Sequence, residues 1–132
     1  MNSGTELVSR IYAAFASGDV MGLLGHLDPD VVWNEAEGNS LADGNPYRGP
    51  EAIVAGVFMR LMAEWKDFSV VVDEIVGGDE VVTMFGRYRG THTESGKPLD
   101  VQAAHTWWIE NGKIVRFQQM VDTAGLAAAS QK

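Results

Sequence analysis

Between residues 68 and 122 apolar and polar side chains alternate with a period of two, and the pattern breaks at Gly77-Gly78-Asp79, Ser95-Gly96 and Asn111-Gly112. That period is the repeat of a half-buried strand, because successive side chains leave a pleated backbone on opposite faces. Four strands are predicted, over residues 68–76, 80–92, 98–110 and 113–122. Connections this short join antiparallel neighbours, so the four form a meander. Long strands twist and coil, and the apolar face of such a sheet must be covered by other elements.

The first half of the chain supplies the cover. Leu7, Val8, Ile11, Tyr12, Ala14 and Phe15 recur at helical spacing until Gly18 ends the run. Asp19 is a good N-cap for a second short helix, with Val20, Leu23, Leu24 and Leu27 on its apolar face and a stop near Asp28-Pro29-Asp30. A strand over 31–36 follows, and then residues 37–49, rich in Gly, Pro, Asn and Asp, which predict an irregular loop over one end of the fold. Pro50 suits the first turn of the longest helix, which carries Ile53, Val54, Val57, Phe58, Leu61, Met62 and Trp65 and ends near Lys66. Three N-terminal helices packed on a strongly curved antiparallel sheet make a single α+β domain over 1–132, shaped as a cone with a mouth.

A chain of 132 residues buries roughly two thirds of its unfolded surface, enough for a core and one cavity. The net charge of −8 repels phosphate backbones and anionic lipid surfaces, so neither nucleic acid nor membrane is an expected partner. No apolar run approaches the roughly 18 residues of a membrane span, and the start lacks the order of an export signal, which points to the cytoplasm. Without cysteine there is no disulfide, no thiolate nucleophile and no cysteine-based metal site.

Two titratable residues stand in strands where apolar ones are usual: Glu35, after Val31-Val32-Trp33-Asn34, and His105, within Ala103-Ala104-His105-Thr106-Trp107. Burial raises a carboxylate pKa and lowers that of an imidazole, so such a pair in an apolar pocket is suited to proton transfer. If His105 faces the interior, alternation turns Val101, Ala103, Trp107 and Ile109 inward with it, and on the last strand Phe117, Gln119 and Val121. Tyr12, Trp33, Phe58 and Met84 complete the expected lining, which suits a small, largely apolar organic ligand. Trp108, Ile114, Met120 and Phe85 fall on the opposite faces, an excess of large apolar groups that predicts a homodimer packed sheet to sheet. His26 and His92 lack metal-ligand spacing with His105, so no metal is expected, and Asp122 is read as a cap for the terminal segment.

Several stretches together resemble the SnoaL-like branch of the nuclear transport factor 2-like superfamily: Ile11-Tyr12-Ala13-Ala14-Phe15-Ala16-Ser17-Gly18-Asp19, Val31-Val32-Trp33-Asn34-Glu35, Tyr47-Arg48-Gly49-Pro50-Glu51-Ala52-Ile53, Asn111-Gly112-Lys113-Ile114-Val115 and Val121-Asp122-Thr123-Ala124. The resemblance spans nearly the whole chain and implies the cone-shaped fold. Isomerases, polyketide cyclases, epoxide hydrolases, dehydratases and binding modules share that scaffold, so the fold does not by itself define an activity. By this resemblance Glu35 corresponds to the proton-shuttling carboxylate of ketosteroid isomerase, and His105 to its protonated aspartic acid, which hydrogen-bonds the developing oxyanion. The isomerase's oxyanion tyrosine corresponds to Ile11, with Tyr12 one position on and rotated by about 100°. The acid/base aspartate of SnoaL-like cyclases corresponds to Gln119, which cannot transfer a proton in that role. The Asp-Arg-Asp set of epoxide hydrolases has no counterpart.

The resemblance leaves two functions. One is cofactor-free isomerase- or cyclase-type proton transfer next to a carbonyl, with Glu35 as base and His105 as oxyanion donor. The other is a non-catalytic ligand-binding or dimerisation module.

Overall fold

The structure is a computed structural model that describes residues 2–132. Its first helix, α1 (Ser3–Ser17), starts where the Asn2 side chain accepts from the Thr5 backbone N–H and ends at Gly18, whose φ of 76° few residues other than glycine adopt readily. Leu7, Val8, Ile11 and Tyr12 form its buried face. Asp19 caps α2 (Val20–Leu24) by accepting from Gly22 N–H.

Helix α2 is shorter than expected, because Leu27 already belongs to a strand, β1 (Leu27–Asn34). Leu27 pairs with Ile114, after which the register slips until Val32 meets Arg116. Asp28-Pro29-Asp30 lies in the slipped stretch, where a proline removes no ladder hydrogen bond. The strand also ends sooner than residue 36. The Asn45 side chain takes over both backbone groups of Glu35, accepting from its N–H at 3.0 Å and donating to its C=O at 2.8 Å.

The loop over 37–49 contains a 3₁₀ turn, Ser40–Gly44, and a two-residue strand, β2 (Tyr47–Arg48). Pro50 opens the long helix as expected. It runs as α3 (Pro50–Ile53), a π-helical turn (Val54–Phe58) and α4 (Met59–Glu64), and Trp65 begins β3 (Trp65–Gly77). Then come β4 (Val81–His92), β5 (Pro98–Glu110) and β6 (Lys113–Val121). The meander β3-β4-β5-β6 is antiparallel, and β1 adds in parallel to β6, giving the order β2-β1-β6-β5-β4-β3. Asn111 and Gly112 turn β5 into β6 with φ values of 51° and 73°, the geometry of a two-residue hairpin.

One reading needs correction here. Ile114 does not face outward: a bulge pairs Trp108 with Arg116 and Ile109 with Ile114, and the extra residue turns Ile114 into the core. The terminal segment beyond Asp122 is a further helix, α5 (Thr123–Ser130), with Asp122 accepting from Gly125 N–H as its N-cap. Its run of alanines favours a helix by propensity and carries almost no periodic pattern.

Candidate functional site

The curved sheet and the helices enclose a cavity of about 350 Å³. Helix α1 contributes Ile11, Tyr12 and Phe15, the loop Gly38 to Leu41, the π-helical turn Val57 and Phe58, and α5 Leu126 and Ala127. The sheet contributes Trp33, Tyr88, His105, Trp107, Phe117 and Gln119, and Glu35 lies just beyond β1. The wall is mostly apolar and rich in aromatic rings, and buried polar groups cluster at two places in it.

Glu35 is the first. Its side chain is buried and Oε2 accepts from the indole N–H of Trp33 at 2.9 Å. Among the described residues no buried side-chain polar atom lacks a partner, so Oε1, which has none, is reached from the cavity. Burial pushes the carboxyl pKa up to about 7, against the Trp33 hydrogen bond, which favours the ionised form.

His105 is the centre of the second. Its Nδ1 lies 2.6 Å from the Tyr12 hydroxyl, and its Nε2 is hydrogen-bonded to the Tyr88 hydroxyl. Tyr12 Oη also accepts from Trp107 Nε1 at 2.9 Å, and Tyr88 Oη from Gln119 Nε2 at 2.8 Å. Burial drives the imidazole pKa down to about 3, so the ring is neutral, and raises both tyrosines above their usual range. Both ring nitrogens are therefore occupied by protein, and the groups of this cluster with capacity left for a ligand are the hydroxyls and the second amide N–H of Gln119.

Of the residues expected at a ligand, Glu35, His105, Tyr12, Trp33, Phe58, Trp107, Phe117 and Gln119 line this one cavity. Tyr12 reaches it beside Ile11 because the apolar stripe of a helix is wide enough to hold two adjacent residues. Met84 and Val121 do not line it. Met84 is fully buried in the main core, and Val121 packs with Val101, Ala103 and Leu126 in a smaller cluster. Gln119 binds structure rather than carrying protons: its Oε1 accepts from Ala36 N–H at 3.1 Å and from Asn39 Nδ2 at 2.8 Å, tying the loop to the tyrosine.

Sequence reasoning missed Tyr88, Asn39 and Asn45. Alternation on β4 could have found Tyr88, which shares the inward parity of Val82 and Met84. Nothing in a loop sequence marks which asparagine will clasp a distant backbone. Among the described residues no group of three His, Asp or Glu side chains is placed to hold a metal ion.

A curved, open, mostly antiparallel sheet wrapped over helices around an apolar cavity defines a nuclear transport factor 2-like protein. The model of the SnoaL-like domain matches residues 8–117, and the chain belongs to that family. No curated protein matches it. Among solved structures, a nuclear transport factor 2-like protein of Burkholderia thailandensis E264 is 33% identical with a TM-score of 0.94, over 100% of both chains. TerC, co-crystallised with polyporic acid, is 22% identical over 99% of this chain and 100% of its own, with a TM-score of 0.87. IdmH, a putative polyketide cyclase from Streptomyces antibioticus, is 23% identical over 96% of each chain, with a TM-score of 0.81.

Proposed function

We propose that the protein binds a small, largely apolar organic molecule bearing a carbonyl or related oxygen and moves a proton on it without a cofactor. Glu35 is the base. It removes a proton from the carbon next to the carbonyl and returns it elsewhere, while a tyrosine hydroxyl held by His105 stabilises the enolate oxygen. The observation that carries this reading is Glu35 itself: a buried carboxyl with a pKa near 7, one oxygen held by Trp33 and the other open to the cavity that also holds the hydroxyl cluster. A general base works best when its pKa lies near the operating pH. The role first expected of His105 changes, since it acts through Tyr12 and Tyr88 rather than on the ligand directly. TerC, crystallised with a small organic acid, and IdmH, a putative cyclase, are in keeping with this on the same fold.

The test is α-proton exchange in D₂O over a panel of small cyclic ketones, followed by NMR. The wild type should accelerate exchange and Glu35→Gln should lose the acceleration while still binding the ketone. Exchange by the Gln variant at the wild-type rate would refute the base assignment. Binding without exchange by either protein would leave a ligand-binding module.

The protein is further proposed to pair through the outer sheet face. Phe85, Ala104 and Met120 stand side by side across β4, β5 and β6, and Phe85 and Met120 are exposed.

A further inference from the structure

We propose that His105 is a positioning residue whose tautomer selects which of two hydroxyls, Tyr12 or Tyr88, offers its proton to an oxygen of the bound molecule. This rests on the proton-transfer reading above and specifies its oxygen-binding half.

The hydroxyl and imidazole protons outnumber the acceptors that the protein offers them. Each tyrosine oxygen already accepts one hydrogen bond whose direction is certain. The indole N–H of Trp107 can only donate to Tyr12. The Gln119 amide must present its NH₂ to Tyr88, because its oxygen is taken by the Ala36 backbone N–H. A neutral imidazole has one N–H and one lone pair. In the Nδ1–H tautomer the ring donates to Tyr12, which then has both acceptor positions filled and its own proton unused, while Tyr88 donates to Nε2. In the Nε2–H tautomer the roles exchange. Either way one hydroxyl proton is left over, and among the described residues no further acceptor is within hydrogen-bond distance of either oxygen. Both side chains line the cavity, so the spare proton belongs to a ligand.

Two consequences follow. The two tyrosines are matched, each with one fixed N–H donor and one imidazole nitrogen, so the position of the ligand oxygen decides the tautomer. The spare hydroxyl has no lone pair left to accept with, so the site takes an acceptor oxygen, carbonyl or oxyanion, and discriminates against an alcohol that must donate.

The experiment uses ¹⁵N-histidine-labelled protein, whose ring shifts separate N–H from bare nitrogen, with 2-naphtholate as the oxyanion probe. His26 and His92, outside the cavity, serve as internal references. Unliganded wild type should show averaged ring shifts for His105, and naphtholate should drive them to one tautomer. Tyr12→Phe should populate Nε2–H and Tyr88→Phe should populate Nδ1–H, because a buried N–H without a partner is the costlier defect. Either single variant should keep naphtholate affinity within about tenfold, and the double variant should lose about 100-fold or more. One tautomer in all three proteins, or a single variant as weak as the double, overturns the proposal. So do wild-type shifts that naphtholate leaves unchanged, a measurement that needs no variant to fold. Wild type that takes no naphtholate refutes the ligand site as well, whereas binding with an unchanging tautomer refutes the selection by His105 and leaves Glu35 untouched.

Discussion

The indole Nε1 of Trp33 donates to Oε2 of Glu35 at 2.9 Å, two residues apart at the end of β1, where the chain leaves the sheet. This bond works against burial. It favours the carboxylate, while the apolar surroundings favour the acid, and the balance leaves the group titrating at about 7. Proton exchange on a ketone should therefore rise about tenfold per pH unit below 7 and level off above it. Trp33→Phe removes the opposing bond, so the pH of half-maximal rate should move up by about one unit. A pH–rate profile of the two proteins decides it, and coincident profiles would contradict the role given to Trp33.

The same group makes stability depend on pH. Unfolded Glu35 titrates near 4.5 and native Glu35 at about 7, so as pH rises the unfolded chain loses its proton first and is favoured. This contributes a loss of about 3 kcal/mol between pH 4.5 and 7. His105 acts on the acid side: it binds a proton near 6.5 when unfolded and only near 3 in the native state, so stability falls as pH drops through that window. Opposed slopes give a plateau between about pH 4.5 and 6.5. In urea titrations Glu35→Gln should gain about 3 kcal/mol on the wild type between pH 4 and pH 8. A difference that stays constant with pH would show that Glu35 is not buried as described.

Asn45 holds the backbone of Glu35 with two hydrogen bonds where the sheet ladder has stopped. Asn45→Ala leaves a partly buried N–H and C=O unpaired and should cost about 2–3 kcal/mol in denaturant unfolding. It should also reduce ketone exchange, because the base is no longer held in place. Asn45→Asp keeps the acceptor and should lose less of both.

Phe85 and Met120 flank Ala104 on the outer face of the sheet. If two copies pair there, Met120→Lys should convert a dimer to a monomer in light scattering, with the ketone exchange rate per chain unchanged. A wild type that is monomeric at all concentrations would rule the interface out.

The sheet was legible because alternation is a local property: the predicted 98–110 and 113–122 differ from β5 and β6 by a residue at most. Even so, alternation failed at Ile114, where a bulge adds one residue and reverses the parity. The extent of β1 was misjudged for a related reason. Its early start depends on a parallel partner far along the chain, and its early end on an asparagine ten residues later that takes the Glu35 backbone.

Local pattern and composition were enough to set the α+β class and the inward face of β5 with His105 on it, since each is written in the spacing of neighbouring side chains, whereas Glu35 was brought to the cavity by the family resemblance. Only the tertiary structure decided what those residues meet. His105 lies 93 positions from Tyr12 and 17 from Tyr88, and Gln119 lies 80 from Asn39. Hydrogen bonds are short-ranged and directional, and contacts between residues so far apart in the chain exist only once helix, loop and sheet have packed. The sequence marks His105 as buried and polar; the packed fold gives it two tyrosines, and with them its chemistry.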